Sequence, residues 1–431
     1  MSRTWVYSIF LGIISLVGFK SQAYADETNS PPDTLTGGWQ LRQNIESHGV
    51  QPFVNLTTEM WGNASGGLKT GTSFNSLLNF GFQLDTEKLG RWNGGKFMVQ
   101  FRWIRNSDDG KSFSSYTGAA NPVSSSMAAN SIRVFNLYYQ HDWHDGAVTL
   151  KLGQLATDDD FMGSDYAGLF LNSAFGAMPS EVGSPLARCC GNSSAFPIFP
   201  VAAPGIFLAV HPTKTVFLQA GVYDGAPGRD TENNYGFDWA NQSHVGVAVF
   251  YEGGLNYQLR NRAGTFHLGG TFHSGRFDDY AGMNGGKNNI VSEDLYSFYA
   301  INDFTLIATA DGQPKLGAFV RAGFSPLSDR SMVSAYADTG INWFAPLPGR
   351  DSDVAGVGFS CTRFGNEFRK TTGSDGVATS ESTLELTYHA QVTKWFSVQA
   401  DTQFLFNPAV NSGLHTRETA IVFGLRTEID F

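Results

Sequence analysis

Along much of this chain, apolar and polar residues alternate one by one. At the C-terminus Ile421, Phe423, Leu425, Ile429 and Phe431 share one parity, while Gly424, Arg426, Glu428 and Asp430 share the other. A β-strand sends successive side chains to opposite faces, so such a segment is greasy on one side and wet on the other. Leu384, Leu386, Tyr388, Ala390 and Val392 alternate in the same way with Glu385, Thr387, His389 and Gln391. So do Phe396, Val398, Ala400, Phe404 and Phe406 with Ser397, Gln399, Asp401 and Gln403. Phe97, Val99, Phe101 and Trp103 oppose Gln100 and Arg102, and Leu78, Phe80, Phe82 and Leu84 oppose Asn79, Gln83 and Asp85. Helical spacing fits none of these stretches. The pattern predicts sixteen strands, near 51–62, 73–86, 95–106, 131–144, 147–155, 204–211, 214–223, 244–260, 263–273, 295–310, 316–325, 330–344, 352–364, 381–393, 395–406 and 417–431. The alternation is weakest in 295–310. Each segment has about the length that a tilted membrane-crossing strand needs.

The connections sharpen this picture. After even-numbered segments they are mostly short: Asp145-Gly146, Pro212-Thr213, Asn261-Arg262 and Lys394. After odd-numbered segments they are mostly long: 107–130, 156–203, 224–243, 274–294 and 365–380, with 326–329 a short exception. Transmembrane β-barrels of bacteria have short periplasmic turns and long external loops. A soluble β-sandwich has no reason to place its long loops on every second connection. The fold expected is therefore all-β, a transmembrane antiparallel β-barrel of sixteen strands. Trp103, Tyr139, Trp143, Trp343 and Tyr388 lie on the apolar parity and suit an interfacial aromatic girdle.

The beginning of the chain reads as an export signal. Arg3 precedes an apolar run from Val6 to Phe19, and Ala23-Tyr24-Ala25 offers a small-residue cleavage site. Residues 1–25 are the expected signal peptide, 26–50 a periplasmic leader and 51–431 the barrel domain. In the leader, Trp39, Leu41, Arg42 and Ile45 are spaced for a short helix at the periplasmic side. The apolar run is shorter than the ~20 residues of a membrane-spanning helix, and no second run of spanning length follows. That excludes a helical membrane protein. Charged residues make up 16% of the chain against roughly 25% in soluble domains. There are 35 phenylalanines and 49 glycines, a composition that suits a lipid-facing outside and a wet inside. The net charge of −10 argues against nucleic acid as a partner.

No catalytic motif stands in the sequence: there is no G-x-S-x-G, H-E-x-x-H, P-loop or Cys-x-x-Cys. His389 and Glu385 share a strand face, but four residues of strand separate their Cα atoms by about 13 Å, too far for a dyad. Neither an enzyme nor a cofactor or metal site is expected. The acid run Asp158-Asp159-Asp160 lacks the ordered spacing of an EF-hand. Cys189 and Cys190 are adjacent and Cys361 is remote; a vicinal disulfide, a link to Cys361 and free thiols are all compatible with the sequence.

Several stretches resemble one family, the carbohydrate-selective porins of the OprB type. They are GGWQLRQNIESHGV at 37–50, FQLDTEKLGRWNGGKFMVQF at 82–101, GVYDGAPG at 221–228, GFSPLSDRS at 323–331, PLPGRDSDVAGVGF at 346–359, ESTLELTYHAQVTKWFSVQADTQFLFNP at 381–408 and the terminal GLRTEIDF. They keep their order over nearly the whole chain. The chain departs from the pattern at Ala400, where a proline is expected, and at Ala409-Val410, where a glycine pair is expected. The resemblance implies an outer-membrane porin that lets small neutral carbohydrates such as glucose diffuse passively. A final strand ending in Phe431 resembles the signal read by the barrel-assembly machinery. Lipid is then the surrounding partner. A homotrimer is common among porins, although no residue here establishes one.

A sugar-passing pore needs groups that replace water around hydroxyls without holding the sugar tightly. Parity selects the wall candidates: Arg102, Lys151, Arg321, Asp85, Glu252, Glu385 and Asp401 all stand on wet faces. On the lipid face at mid-membrane an Arg or Lys costs roughly 2–4 kcal/mol. Sixteen strands leave an aqueous lumen, which an infolded loop would narrow. The longest connection, 156–203, is the expected constriction, with Phe161 and Tyr166 as its candidate contacts; the alternative is an external cap. The competing functions are a general small-solute pore, an anion pore, which needs a cluster of basic residues at one level, and a barrel enzyme or adhesin.

Overall fold

The computed structural model describes residues 34–107, 113–182, 195–228, 233, 235–239, 246–286, 291–371, 376–409 and 418–431. The expected signal segment, Cys189 and Cys190 lie outside these. Sixteen strands follow one another: β1 Val50–Ser65, β2 Gly71–Asp85, β3 Gly95–Asn106, β4 Ser131–Trp143, β5 Val148–Leu155, β6 Ala203–Val210, β7 Val216–Asp224, β8 Val247–Leu259, β9 Arg262–Asp278, β10 Val291–Ala308, β11 Pro314–Phe324, β12 Val333–Phe344, β13 Val354–Phe364, β14 Ser380–Thr393, β15 Phe396–Phe406 and β16 Ala420–Asp430. Each pairs antiparallel with its neighbours in sequence, and β1 pairs with β16 to close the barrel. Closure removes every sheet edge, which is what lets strands cross lipid with all backbone groups paired. Among the described residues no helix is long and apolar enough to cross a membrane.

The sixteen predicted segments correspond to the sixteen strands. The largest difference is in β9 and β10, which run on to Asp278 and back to Val291 and so shorten the predicted 274–294 connection. Parity sorts the faces as expected. On β16 Phe423 and Leu425 are about half exposed on the outer wall, whereas Arg426 is buried inside. It pairs across the closing seam with buried Glu59 of β1 at 2.6 Å. Beside this pair the indole of Trp61 lies over Gly424, where a Cβ would stand 2.3 Å from the ring.

The leader forms one short helix, α1, Gln40–Ser47. It sits at the short-turn end of the barrel and ties the seam. Arg42 donates to the Phe431 carbonyl and, at 3.1 Å, to that of Pro52, while Glu46 holds its Nε at 2.7 Å. The Leu35 amide donates to the Asp430 carbonyl at 2.8 Å. The leader therefore bridges the first and last strands.

Candidate functional site

The inward side chains are met by two of the long connections. Among its described residues the β5–β6 connection carries three short 3-10 turns and a helical turn, Pro179–Val182. It passes from strand to strand along the inner wall. Met162 N donates to Glu252 of β8, and Asp165 N and Ser164 Oγ donate to Asp303 of β10. The Tyr166 carbonyl accepts from Asn342 of β12 at 2.9 Å. Leu171 N and Asn172 N both donate to Glu385 of β14, and Asn172 Nδ2 donates to Gln403 of β15. The carbonyls of Ala174 and Gly176 accept from Arg321 of β11. Strand glycines seat its aromatics: the ring of Tyr166 fills the place a Cβ would take at Gly317, and Phe170 does so at Gly356 and Gly358. Phe170 and Phe175 also pack on inward Phe319, with ring centroids 5.6 and 6.1 Å away.

The β3–β4 connection docks beside it. Ala120 N and Asn121 N donate to Glu381 of β14, and Ser124 Oγ donates to Glu59. The two connections join through Ser125 N to the Leu171 carbonyl and Ser173 N to the Pro122 carbonyl, each 2.9 Å. One device recurs: a strand presents a buried carboxylate, and the peptide N–H groups of a connection satisfy it. A buried carboxylate needs such donors, because leaving it unpaired is costly.

This arrangement places each predicted residue. Glu252 accepts from Gln219, Met162 N and Tyr299, and His267 lies 3.0 Å from it. Glu385 holds the two peptide groups of Leu171 and Asn172; Asp401, nearby on β15, accepts from Gln403. Arg321 is wholly buried, its guanidinium forked on Asp338 of β12. Lys151 is paired with Asp160 at 2.5 Å. Asp85 ends β2 and accepts from Glu87 N and Lys88 N, which caps the β2–β3 turn. Phe161 is buried against Phe207 and Phe250, and the Tyr166 hydroxyl meets Thr305.

Arg102 differs from the other candidate cations. Its guanidinium lies over the ring of Phe135 at 3.5 Å and near that of Phe199 at 5.0 Å. Among the described residues no group accepts a hydrogen bond from it, and its Nε is buried without a partner. Around it runs a polar chain: Gln100 donates to Asn79, and Asn136 donates to Gln100 and to Asp159. Parity reasoning found Arg102 but missed Phe135 and Asn136. The β3–β4 register shifts between Gln100 and Phe101, so both of these neighbouring residues are buried where strict alternation would expose one. Phe199 carried no sequence signal, because it lies on a loop.

The connection also holds carboxyls away from water. Burial and neighbouring Asp159 push Asp158 up to about 6, against the pull of Arg102 and the Phe199 amide. Burial pushes Glu181 up to about 7, although Ser297 and Ser180 donate to it at 2.5 and 3.0 Å. The folded state then binds the Glu181 proton more tightly than the unfolded chain does. Its contribution to stability is whole below about pH 4.5 and is lost as pH rises through 7. Glu181→Gln keeps the shape and an oxygen for Ser297 while removing the charge. It is expected to raise the thermal unfolding midpoint of the detergent-solubilised barrel at pH 8.5 and leave it unchanged at pH 4. The rise of this carboxyl from its ordinary 4.5 to about 7 corresponds to about 3 kcal/mol. An equal effect at both pH values would exclude a charge on Glu181 as the cause.

Comparison with known proteins agrees with this architecture. A family described as carbohydrate-selective porin, OprB family, matches residues 69–431. Porin B of Pseudomonas aeruginosa is 22% identical, over 97% of this chain and 96% of its own. The high-pH structure of Pseudomonas putida OprB superposes with a TM-score of 0.80 at 18% identity, covering 94% of this chain and all of that one. The low-pH structure of the same protein gives a TM-score of 0.57 at 15% identity, with the same coverage.

Proposed function

This chain belongs to the carbohydrate-selective porin family, OprB type, and from that premise we propose that it passes small neutral sugars such as glucose across the bacterial outer membrane by passive diffusion. Residues 1–25 serve as the export signal and are removed after Ala25. The β5–β6 connection, fastened along the inner wall, narrows the water-filled barrel to a passage where one sugar meets the wall at a time.

The observation that carries the reading is the state of Arg102. The other predicted cations, Lys151 and Arg321, are occupied by carboxylates, whereas Arg102 keeps unused donors on an aromatic bed. A guanidinium offers five N–H donors in a planar fork, suited to vicinal hydroxyls. The Phe135 and Phe199 rings hold that fork in one plane, so little side-chain entropy is lost when a sugar binds. Asp159, Asn136 and Gln100 supply acceptors and amides beside it. One stacked cation, the Asp159 carboxylate and two amides each offer a hydroxyl a single contact, so the sugar is held weakly, as entry and exit both require. The carboxylates Glu252, Glu385 and Asp303 hold the connection in place and do not face the sugar.

Single-channel recording in a planar bilayer, with glucose titrated against the salt current, tests this. Stepwise conductance with saturable block by glucose is expected. Conductance indifferent to sugar would make the chain a general small-solute pore. No conductance from folded barrels would refute the channel altogether.

A further inference from the structure

The outer wall carries a second feature that the passage does not use. Between β3, β4 and β5 lies a groove of about 200 Å³, lined by the outward side chains of Phe97, Val99, Leu137, Tyr139 and Leu152. Its origin is local. The residue of β5 opposite Leu137 is Gln154, whose side chain turns to the carbonyls of Val134 and Phe135 instead of covering the wall. The register shift between Gln100 and Phe101 bends β4 at the same level.

At its short-turn end the groove meets a hydrogen-bonded aromatic rim. Trp92 of the β2–β3 turn donates its indole N–H to the Tyr139 hydroxyl at 2.8 Å. That hydroxyl lies 2.7 Å from Nδ1 of His141. The His141 ring packs on Trp143 at 4.3 Å, and its other nitrogen has no partner among the described residues. Arg91, beside Trp92 in the same turn, is exposed.

We propose that this is a binding site for one phospholipid of the periplasmic leaflet. One acyl chain lies in the groove, and the phosphodiester meets His141, the Trp92–Tyr139 pair and Arg91. Three observations select this occupant. The groove opens on the wall that a transmembrane barrel turns to hydrocarbon. The polar groups still open to a headgroup stand at the turn end, at the depth where Trp and Tyr rings meet headgroups, whereas Gln154 at the other end is taken up by the Val134 and Phe135 carbonyls and the Trp239 indole. Its volume of about 200 Å³ suits part of one acyl chain. The site rests on the lipid-facing wall alone and is independent of how the lumen treats sugars.

Native mass spectrometry of the full chain released from detergent micelles tests it, with phosphatidylethanolamine added and a diacylglycerol of the same chains as the control lacking phosphate. The wild type is expected to retain one phosphatidylethanolamine and at least fivefold less diacylglycerol. Leu152→Trp, which fills the groove, and the Trp92→Ala/His141→Ala pair are each expected to reduce the phospholipid-bound fraction at least fivefold. Unheated gel mobility shows that the variants are folded, and glucose block of conductance is expected to stay unchanged. Equal retention of both lipids would reduce the groove to an ordinary greasy wall and overturn the proposal. Undiminished phospholipid binding in both variants would do the same, as would a wild type that retains no lipid but pairs with a second copy that the variants release.

Discussion

Arg321→Met is expected to raise the single-channel conductance at least twofold and to weaken glucose block about tenfold, while the barrel still runs as a folded band on unheated gels. The reason lies in what the guanidinium holds. Its Nε lies 3.0 Å from both Asp338 oxygens, Nη2 reaches Asp338 at 2.5 Å, and Nη1 and Nη2 donate to the carbonyls of Gly176 and Ala174. The single Tyr336 hydroxyl proton is shared between Asp338 and the Ala174 carbonyl, 2.5 and 2.6 Å away. Methionine fills much of the volume but leaves Asp338 as a buried charge without its counter-ion. Breaking such a pair from one side costs about 3–5 kcal/mol. The strands are held by a closed ladder of backbone hydrogen bonds, so the least costly response is local: the stretch around Ala174 leaves the wall. Asp338→Asn should have a similar effect. The double variant, with neither charge, should be milder than the sum of the two, because the groups act as one unit. Unchanged conductance and block in Arg321→Met would mean that this stretch does not narrow the passage.

The same contacts explain how much the sequence revealed. Strands with an apolar outer face and a polar inner one, such as β14, β15 and β16, alternate cleanly and were legible to within a few residues, even where peptide groups of the connections dock on the inner face. β10 was the weakest because its inward face is not wet. Tyr299 and Ile301 point inward but are buried beneath Phe161, Met162 and Met178 of the β5–β6 connection. Phe319 on β11 is inward for the same reason. Where a connection lays apolar side chains on the wall, as over Tyr299, Ile301 and Phe319, the inner face becomes a hydrophobic core and the period of two fades. Parity also put Glu252, Glu385 and Arg321 on the inner wall, but it could not tell which peptide groups would occupy them. Those partners lie as far as 214 residues away in sequence, as between Leu171 and Glu385. Gly317, Gly356 and Gly358 read as mere gaps in a strand; their use as seats for Tyr166 and Phe170 exists only once the connection is docked.

Arg102→Ala should weaken glucose block about ten- to hundredfold with little change in conductance at saturating salt. A hydrogen bond to a charged group contributes about 1.5–3 kcal/mol, and each 1.4 kcal/mol is tenfold in affinity. Because Arg102 holds neither strand nor connection by a hydrogen bond, removing it frees no segment of the wall. This separates it from Arg321, whose loss changes conductance and block together. Arg102→Lys should restore only part of the block, since an ammonium keeps the charge but cannot lie flat on Phe135. Phe135→Leu, with Arg102 intact, should lose several-fold for lack of that bed. A further readout follows from Asp158. Arg102 draws its proton affinity down, against burial and Asp159. In Arg102→Ala, Asp158 therefore keeps its proton to higher pH than the wild type's value of about 6. Any change of current with pH that arises from this carboxyl should move upward by the same amount. Full glucose block in Arg102→Ala would place the sugar elsewhere on the wall and leave Arg102 as a spectator stacked on two rings.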